Sequence, residues 1–506
     1  MTDLLGVPLP MLPLLLIGLS LLAGAIIFLL PEHARATRTT VNLSAAGVKV
    51  VLLALLLPVV LSEDLPAWRS PLLPGVDLVL RIDTLSLLFA SLSAVLWLVT
   101  TIYAIGYLEG RPNRRRFFGF FSLCVSATVG ISFAGNLVTF LLFYEMLTLV
   151  TYPLVAHYGT SEALKAARLY LFYALGGGLV LLVAIVWLTT LVGPVEFTPG
   201  GDPAVAALAQ SDPVVAVWIL GLLIAGLGVK AALVPLHGWL PRAMVAPAPV
   251  SALLHAVAVV KAGVFGIARV LEDVYGPRVA DDLGLLLPLL VLACVTVLYG
   301  SVRALAQDDL KARLAYSTVS QVSYVTLGLA LATTAGITGG IVHLVHQGLM
   351  KITLFFCAGL FAEALGVTRV SQLAGMARRM PVTATAFTVA GLGMMGVPPL
   401  AGFVSKWWLG AGAIEAGQPW VIGVLLTSAL LNALYFLPPI YAMWFREPSE
   451  AVLEGDGRRG RAEAPLPLLV PAVVTATLAL GAGVLAAAPF SPLAVALTIA
   501  ERVVGR

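Results

Sequence analysis

Four lysines, Lys230, Lys261, Lys351 and Lys406, lie inside long apolar runs of a chain that has seven in all, the others being Lys49, Lys165 and Lys311. A charged side chain at mid-membrane costs about 2.5–3.5 kcal/mol on insertion scales, so such groups face a water-lined interior and mark ion or proton paths. Histidine repeats the pattern: His237, His255, His343 and His346 fall in or beside the same runs, and only His33 and His157 lie elsewhere. Amines and imidazoles in hydrated, apolar surroundings pass protons through water, so the chemistry expected of this set is a proton relay.

Glu145, in the run Phe143-Tyr144-Glu145-Met146-Leu147, is the one carboxylate well inside an apolar run. Burial favours the neutral form of a lone carboxylate and of a lone lysine, whereas the two together hold each other charged. A Glu145–Lys230 pair is therefore expected to act as a switch: separation makes the lysine release its proton and re-pairing recaptures it. A static ion pair that fixes helix packing is the alternative. His255 and Lys261 are six residues apart, about 120° round one helix, which makes them successive points on a path and not one compact site; a packing role for His255 stays open beside it. His343 and His346 share a helix face, with Lys351 about 140° round from His346. Spaced histidines can bind zinc, but no carboxylate or cysteine completes a set and the neighbouring lysine opposes a cation, so a relay fits better than a metal site.

These residues are embedded in a chain of 506 residues that is 60% hydrophobic and 11% charged, with a mean hydropathy of +1.00. That composition excludes a soluble globular protein and indicates a polytopic membrane protein. The net charge of +4 gives no reason to expect nucleic acid as a partner. Cys124, Cys294 and Cys357 sit singly in apolar segments, which suggests neither disulfides nor a metal site. The first apolar run, near residues 7–30, lacks a basic leader and a small-residue cleavage pattern and reads as a retained span. Phosphate-binding loops, dinucleotide fingerprints, nucleophile elbows and haem patterns are all missing, so no cofactor is expected and energy must come from an ion gradient or a partner subunit.

Runs long enough to cross ~30 Å of hydrocarbon fall near 7–30, 41–61, 82–106, 117–133, 136–157, 165–191, 214–240, 249–271, 281–301, 312–332, 335–364, 382–408, 420–445 and 465–488. Unsatisfied backbone groups are not tolerated in lipid, and no alternating strand pattern is present, so these are expected to be fourteen helices of a single all-α membrane domain. Loops after odd-numbered spans carry the basic residues, among them Arg111, Arg114, Arg115, Arg116, Arg303, Lys311, Arg313, Arg378 and Arg379, whereas the loop 192–213 carries only Glu196, Asp202 and Asp212 as charges. The bias places the basic loops in the cytoplasm and both termini outside. The stretch 446–465 has room for a linker or a short surface helix only.

Two spans should be interrupted. Pro235 removes a backbone donor and clashes one turn back, so the seventh span is expected to open immediately after Lys230. Pro398 and Pro399, beside Gly396 and Gly402, should break the twelfth before Lys406. Paired breaks point to inverted repeats with the ion site at the discontinuities; the seventh and twelfth spans are five apart and so cross in opposite senses. The repeats expected are 117–271 and 281–445.

Glu145, the 230–241 stretch, the run 247–255 leading to Lys261, the segment 309–318, His343/His346/Lys351, the segment 402–406 and Asp83-Thr84-Leu85-Ser86 together resemble the antiporter-like subunits shared by respiratory complex I and Mrp-type sodium/proton antiporters. The resemblance implies two inverted five-helix repeats and a line of charged, water-linked groups through mid-membrane. It assigns Glu145 and Lys230 as the switching pair, Lys261 as central relay and Lys406 as terminal residue of the second half. Lysine at the twelfth span, with no long extension or lateral helix after the fourteenth, is similar to the D-type component of an Mrp antiporter. Its partners would then be the A, B, C, E, F and G types of component, its cargo protons, with Na+ open as a second ion, and its location a prokaryotic inner membrane. A proton-pumping subunit of complex I or of a membrane-bound hydrogenase is the alternative.

Overall fold

The computed structural model describes residues 3–62, 65–454 and 461–505. Its frame is a sequence of long helices: α1 (Leu12–Leu29), α2 (Arg35–Ser62), α3 (Thr84–Tyr107), α4 (Arg114–Phe133), α5 (Leu137–Val155), α6 (Ser161–Val192) and α7 (Pro213–Lys230). There follow α8 (Ala248–Ala256), α9 (Val259–Arg269), α10 (Leu286–Leu305), α11 (Leu310–Ala330), α12 (Thr334–Leu365), α13 (Pro381–Met395), α14 (Ala401–Glu415), α15 (Trp420–Phe445), α16 (Leu466–Val484) and α17 (Pro492–Val504). Polar residues at the ends of apolar runs start these helices. Asp83, Asn136, Thr160, Asp212, Asp309 and Thr333 each accept a hydrogen bond from a first-turn N–H of the helix that follows, satisfying donors that lipid could not.

Among the described residues, twelve of the fourteen expected spans are covered by helical stretches long and apolar enough to cross a membrane, the eighth as the joined stretch Ala248–Val274. The tenth, α11, has 21 residues but carries a buried row of Ser317, Thr318, Ser320, Gln321, Ser323 and Thr326 that lowers its apolar character. The twelfth is split into α13 and α14, neither long enough alone. The chain is thus an all-α, multi-pass membrane protein.

The breaks fall where the prolines require. α7 ends at Lys230 and gives way to turns before a short helix, Trp239–Arg242. α13 ends at Met395, with Gly396 at φ +91°, and α14 resumes at Ala401. Each break contains a cis peptide bond, Val234–Pro235 and Pro398–Pro399. The eighth span, expected to be continuous, is also interrupted: Val257 and Ala258 leave the helical pattern, with both N–H groups directed at the carbonyl of Leu253. No proline or glycine marks this point, and the face relation expected between His255 and Lys261 across one straight helix does not hold.

Between α2 and α3 the chain forms a hairpin of β1 (Trp68–Leu73) and β2 (Val76–Leu80), a departure from the purely helical expectation. Pro71 and Gly75 at φ +79° mark its bulge and turn. A short helix, Glu450–Glu454, occupies the 446–465 stretch, part of which lies outside the described residues. Helix α12 is the axis of the fold: every residue from 335 to 361 is buried, and α3, α8, α11, α13, α14, α16 and α17 pack round it. Successive neighbours α4, α5, α6 and α7 pack in the same order as α10, α11, α12 and α14.

Candidate functional site: a line of buried amines

At the end of α7 the Lys230 amine lies over the ring of Tyr144, 3.2 Å from its centroid, and donates to the Tyr144 carbonyl. Helix α9 approaches this point closely because residue 263 is glycine; a Cβ there would lie 2.7 Å from the Lys230 carbonyl carbon. Earlier on the same helix, Lys261 donates to the Leu344 carbonyl of α12 at 2.6 Å. That carbonyl adjoins His343, whose Nδ1 is 2.8 Å from Ser405 Oγ on α14. The next residue, Lys406, donates to the Met394 and Met395 carbonyls at 2.9 and 2.8 Å. Those carbonyls are the unsatisfied end of α13, so an amine of the second half-helix caps the first. The Lys406 amine also lies 5.6 Å from the Tyr324 ring.

Lys351, on the next turns of α12, donates to the Leu314 carbonyl at 3.2 Å and to Ser317 Oγ. His255 packs its ring on Phe355, centroids 4.6 Å apart. Neither ring nitrogen of His255 meets a protein partner, nor does either amide atom of Gln321 or Gln347. Buried polar atoms in native proteins are satisfied by protein or by water, so unpartnered atoms of this kind are where water would bind. Imidazole, amide, hydroxyl and amine groups bridged by water can accept and hand on protons.

The structure therefore brings Lys261, His343 and Lys406 into one continuous arrangement, places Lys230 against its backbone through Gly263, and puts Lys351 and His255 on the α8–α11 side. Glu145 and Lys230, expected as a contacting pair, do not touch. Among the described residues no carboxylate lies within 4.0 Å of the amines of Lys230, Lys261, Lys351 or Lys406. Glu145 points instead at Gly178 of α6, where a Cβ would collide with its Oε1, and that oxygen has no hydrogen-bond partner. Its flanking residues Leu142 and Leu149 are exposed, so the carboxylate is half-buried at an outward-facing stripe of α5. Among the described residues, no group of three or more histidine, cysteine or acidic side chains is placed to hold a metal ion.

Several features escaped the sequence reading. Tyr144 and Tyr324 look like ordinary aromatic core residues until their rings are seen beneath lysines. Lys49, fully buried on α2, donates to Ser20 Oγ at 2.6 Å and lies 5.0 Å from the Trp97 ring; its position within the second span was the available signal. Lys311 reaches the Ala246 carbonyl at 2.7 Å, beside the start of α8.

Residues 134–432, more than half of the chain, match the family described as "NADH:quinone oxidoreductase/Mrp antiporter, TM". Residues 74–118 match "NADH-Ubiquinone oxidoreductase (complex I), chain 5 N-terminus". The chain is 36% identical to a protein of Desulforudis audaxviator named NADH-quinone oxidoreductase subunit N, over 80% of this chain and 81% of that one. It is 31% identical to the A/B component of a probable K(+)/H(+) antiporter of Rhizobium meliloti, over 78% of this chain but only 39% of the longer relative. Among solved structures it is similar to a chain of the Mrp complex from Dietzia sp., with a TM-score of 0.84, 25% identity and 97% of both chains covered. It is also similar in fold to a chain of an archaeal respiratory complex, the membrane-bound sulfane sulfur reductase, with a TM-score of 0.83 and 25% identity over 97% of this chain and 98% of that one.

Proposed function

The chain belongs to the family of antiporter-like membrane subunits of NADH:quinone oxidoreductases and Mrp antiporters, and from that premise we propose that it is the proton-translocating, D-type component of an Mrp sodium/proton antiporter. The observation that carries the reading is the run of amines from Lys230 through Lys261 to Lys406, each held by carbonyls or an aromatic ring and none by a carboxylate. Carbonyls and π faces hold an ammonium by dipole and quadrupole alone, so the proton can leave without stranding a counter-ion. Glu145 acts in this reading at a distance or after a side-chain movement, drawing positive charge toward Lys230. The two halves, 117–271 and 281–445, are inverted repeats; in support, each supplies a broken helix, a lysine and a tyrosine to the line, and the helices of each pack in the same order. The chain would lie in a prokaryotic inner membrane with both termini outside, joined to the other Mrp component types, with lipid on its free faces and protons, with Na+ in exchange, as the cargo.

The name of the 36% identical relative and the similarity to a respiratory membrane complex favour a second reading, a redox-driven proton-pumping subunit that carries no redox centre itself. Sodium-dependent and proton-dependent transport by the reconstituted complex separates the two. Sodium/proton exchange that is lost in Lys230→Ala and Lys406→Ala supports the antiporter; proton movement only on electron transfer supports the pump. Unchanged transport in both variants removes the relay from either.

A further inference from the structure

At the far end of α9 from Lys230, outside the line of amines, a cavity of about 320 Å³ opens between the start of α3, the loop before residue 200, and α17. Its floor is a π-helical turn, Val270–Val274, closed by the Tyr275 N–H on the Val270 carbonyl at 3.0 Å. Single π turns inside helices are frequent at functional sites. Here the turn directs Glu272 and Asp273 into the cavity side by side.

The charges in this chamber are unequally satisfied. Arg269 binds Asp273 at 2.6 Å and Asp83 at 2.8 Å, so one guanidinium serves two carboxylates. Arg69 and Arg81 are taken by Glu196. Arg502 of α17 donates to Thr84 Oγ1 at 2.8 Å and to the Leu61 carbonyl. Glu272 is 1% exposed and lines the cavity, yet neither carboxylate oxygen has a hydrogen-bond partner. An ionised carboxylate in that position would add a third negative charge beside a cation already shared, without solvation to offset it. The neutral acid is the stable form at rest, and the site is a place where a proton can be held.

From this chamber geometry we infer that Glu272 is a proton-holding group at the outer mouth of the path, exchanging protons between the Lys261 end of α9 and outside water. The step moves a proton only: the neutral Glu272 acid releases its proton to water in the chamber, and the carboxylate left behind is reprotonated by water protonated near Lys261. Glu272 lies about 16 Å of helix rise beyond Lys261, so water must carry the proton between them. The inference rests on the relay reading given above and on its orientation, and it adds a terminal acid outside the family-like residues.

The test uses the assembled complex in vesicles and N,N′-dicyclohexylcarbodiimide, which modifies protonated carboxyl groups in apolar surroundings. Mass spectrometry is expected to find the adduct on Glu272, falling as the outer pH is raised. Proton flux in Glu272→Gln is expected to drop by about tenfold, with Glu272→Asp intermediate. No adduct on Glu272 in the wild-type complex at any pH overturns the inference without recourse to a variant. So does wild-type flux in an assembled Glu272→Gln complex, and so does protection from the reagent by sodium at fixed pH, which would put a metal cation there in place of a proton. Lys261→Ala separates the two levels: if it abolishes flux while Glu272→Gln does not, the relay stands and the chamber fails; if neither alters flux, the relay itself fails.

Discussion

The Lys230 amine rests on the face of Tyr144, and Lys406 repeats the relation with Tyr324. The tyrosines come from α5 and α11, and the lysines from the two broken spans. A ring face stabilises an ammonium by about 0.5–2 kcal/mol, more when water is excluded, and offers nothing to the neutral amine. Each tyrosine therefore gives its lysine a partner that is not a permanent counter-ion.

Tyr144→Leu should consequently slow proton transport by about tenfold, the rate effect of ~1.4 kcal/mol. Tyr144→Phe should leave it near wild type, because the Tyr144 hydroxyl has no hydrogen-bond partner. Proton flux into vesicles measures both. Equal rates for the Leu and Phe variants would remove the ring from the mechanism.

Glu145 depends on a missing side chain across the helix interface. A Cβ at residue 178 would overlap the Glu145 carboxylate, the movable end of a flexible side chain, and its three nearest contacts are all atoms of that carboxylate, none of them backbone. Gly178→Ala should therefore keep the fold and displace the carboxylate, reducing transport as Glu145→Gln does. Because both changes act on one group, the double variant should be no slower than the slower single variant. Additive losses in flux measurements would mean that Gly178 matters for some other reason.

The amines and the two proline breaks were legible in the sequence because a lysine in an apolar run and a proline inside a span each conflict with the surrounding pattern. Lys230, Lys261, Lys351 and Lys406 stood out for that reason, and α7 ends at the residue indicated. The third break at Val257 and Ala258 was not legible, since valine and alanine fit a membrane helix and only tertiary packing interrupts it. Tyr144 and Tyr324 were hidden by their aptness for a core. Glu272 and Asp273 lie just past the expected end of the eighth span, where acidic residues read as solvated loop; the π turn keeps them buried. Charge alone links Glu145 to Lys230, and charge does not set their separation: the carboxylate lies outside ion-pair distance while its field still acts on the amine.

Lys406 has a structural duty that its counterpart lacks. Its two hydrogen bonds close the open end of α13, and hydrogen bonds to charged groups contribute about 1.5–3 kcal/mol each at most. Lys406→Ala should lower the thermal midpoint of the detergent-solubilised protein more than Lys261→Ala, which gives up one such bond. Gly396→Ala should act on the same corner, since residue 396 sits at φ +91° and a Cβ would lie 2.9 Å from Lys406 Cδ. A Lys406→Ala midpoint equal to that of Lys261→Ala would show that water replaces the amine without loss.

The loop that carries Glu196 offers a pH test away from the membrane interior. Hydrogen bonding to Arg69 holds the Glu196 carboxyl below the usual glutamate range, with the neighbouring charges of Arg69 and Arg81 acting in the same direction against burial. A carboxyl whose proton affinity is lowered by folding stabilises the fold above the ordinary glutamate range, and that contribution disappears as pH falls through the depressed value. Glu196 anchors a segment whose Thr198, Gly200 and Asp202 N–H groups bond to the carbonyls of Asp273, Glu272 and Val274, each at 3.0 Å. Acidification should therefore release these amides before the helices open. Hydrogen exchange at Thr198 and Gly200, corrected for intrinsic rates, should accelerate on going below the glutamate range in the wild type, whereas Glu196→Gln should exchange faster at neutral pH and lose that acid-dependent step. If the variant keeps the wild-type acid profile, another group controls the loop, and Asp83 and Asp273, which share Arg269 beneath it, become the groups to substitute.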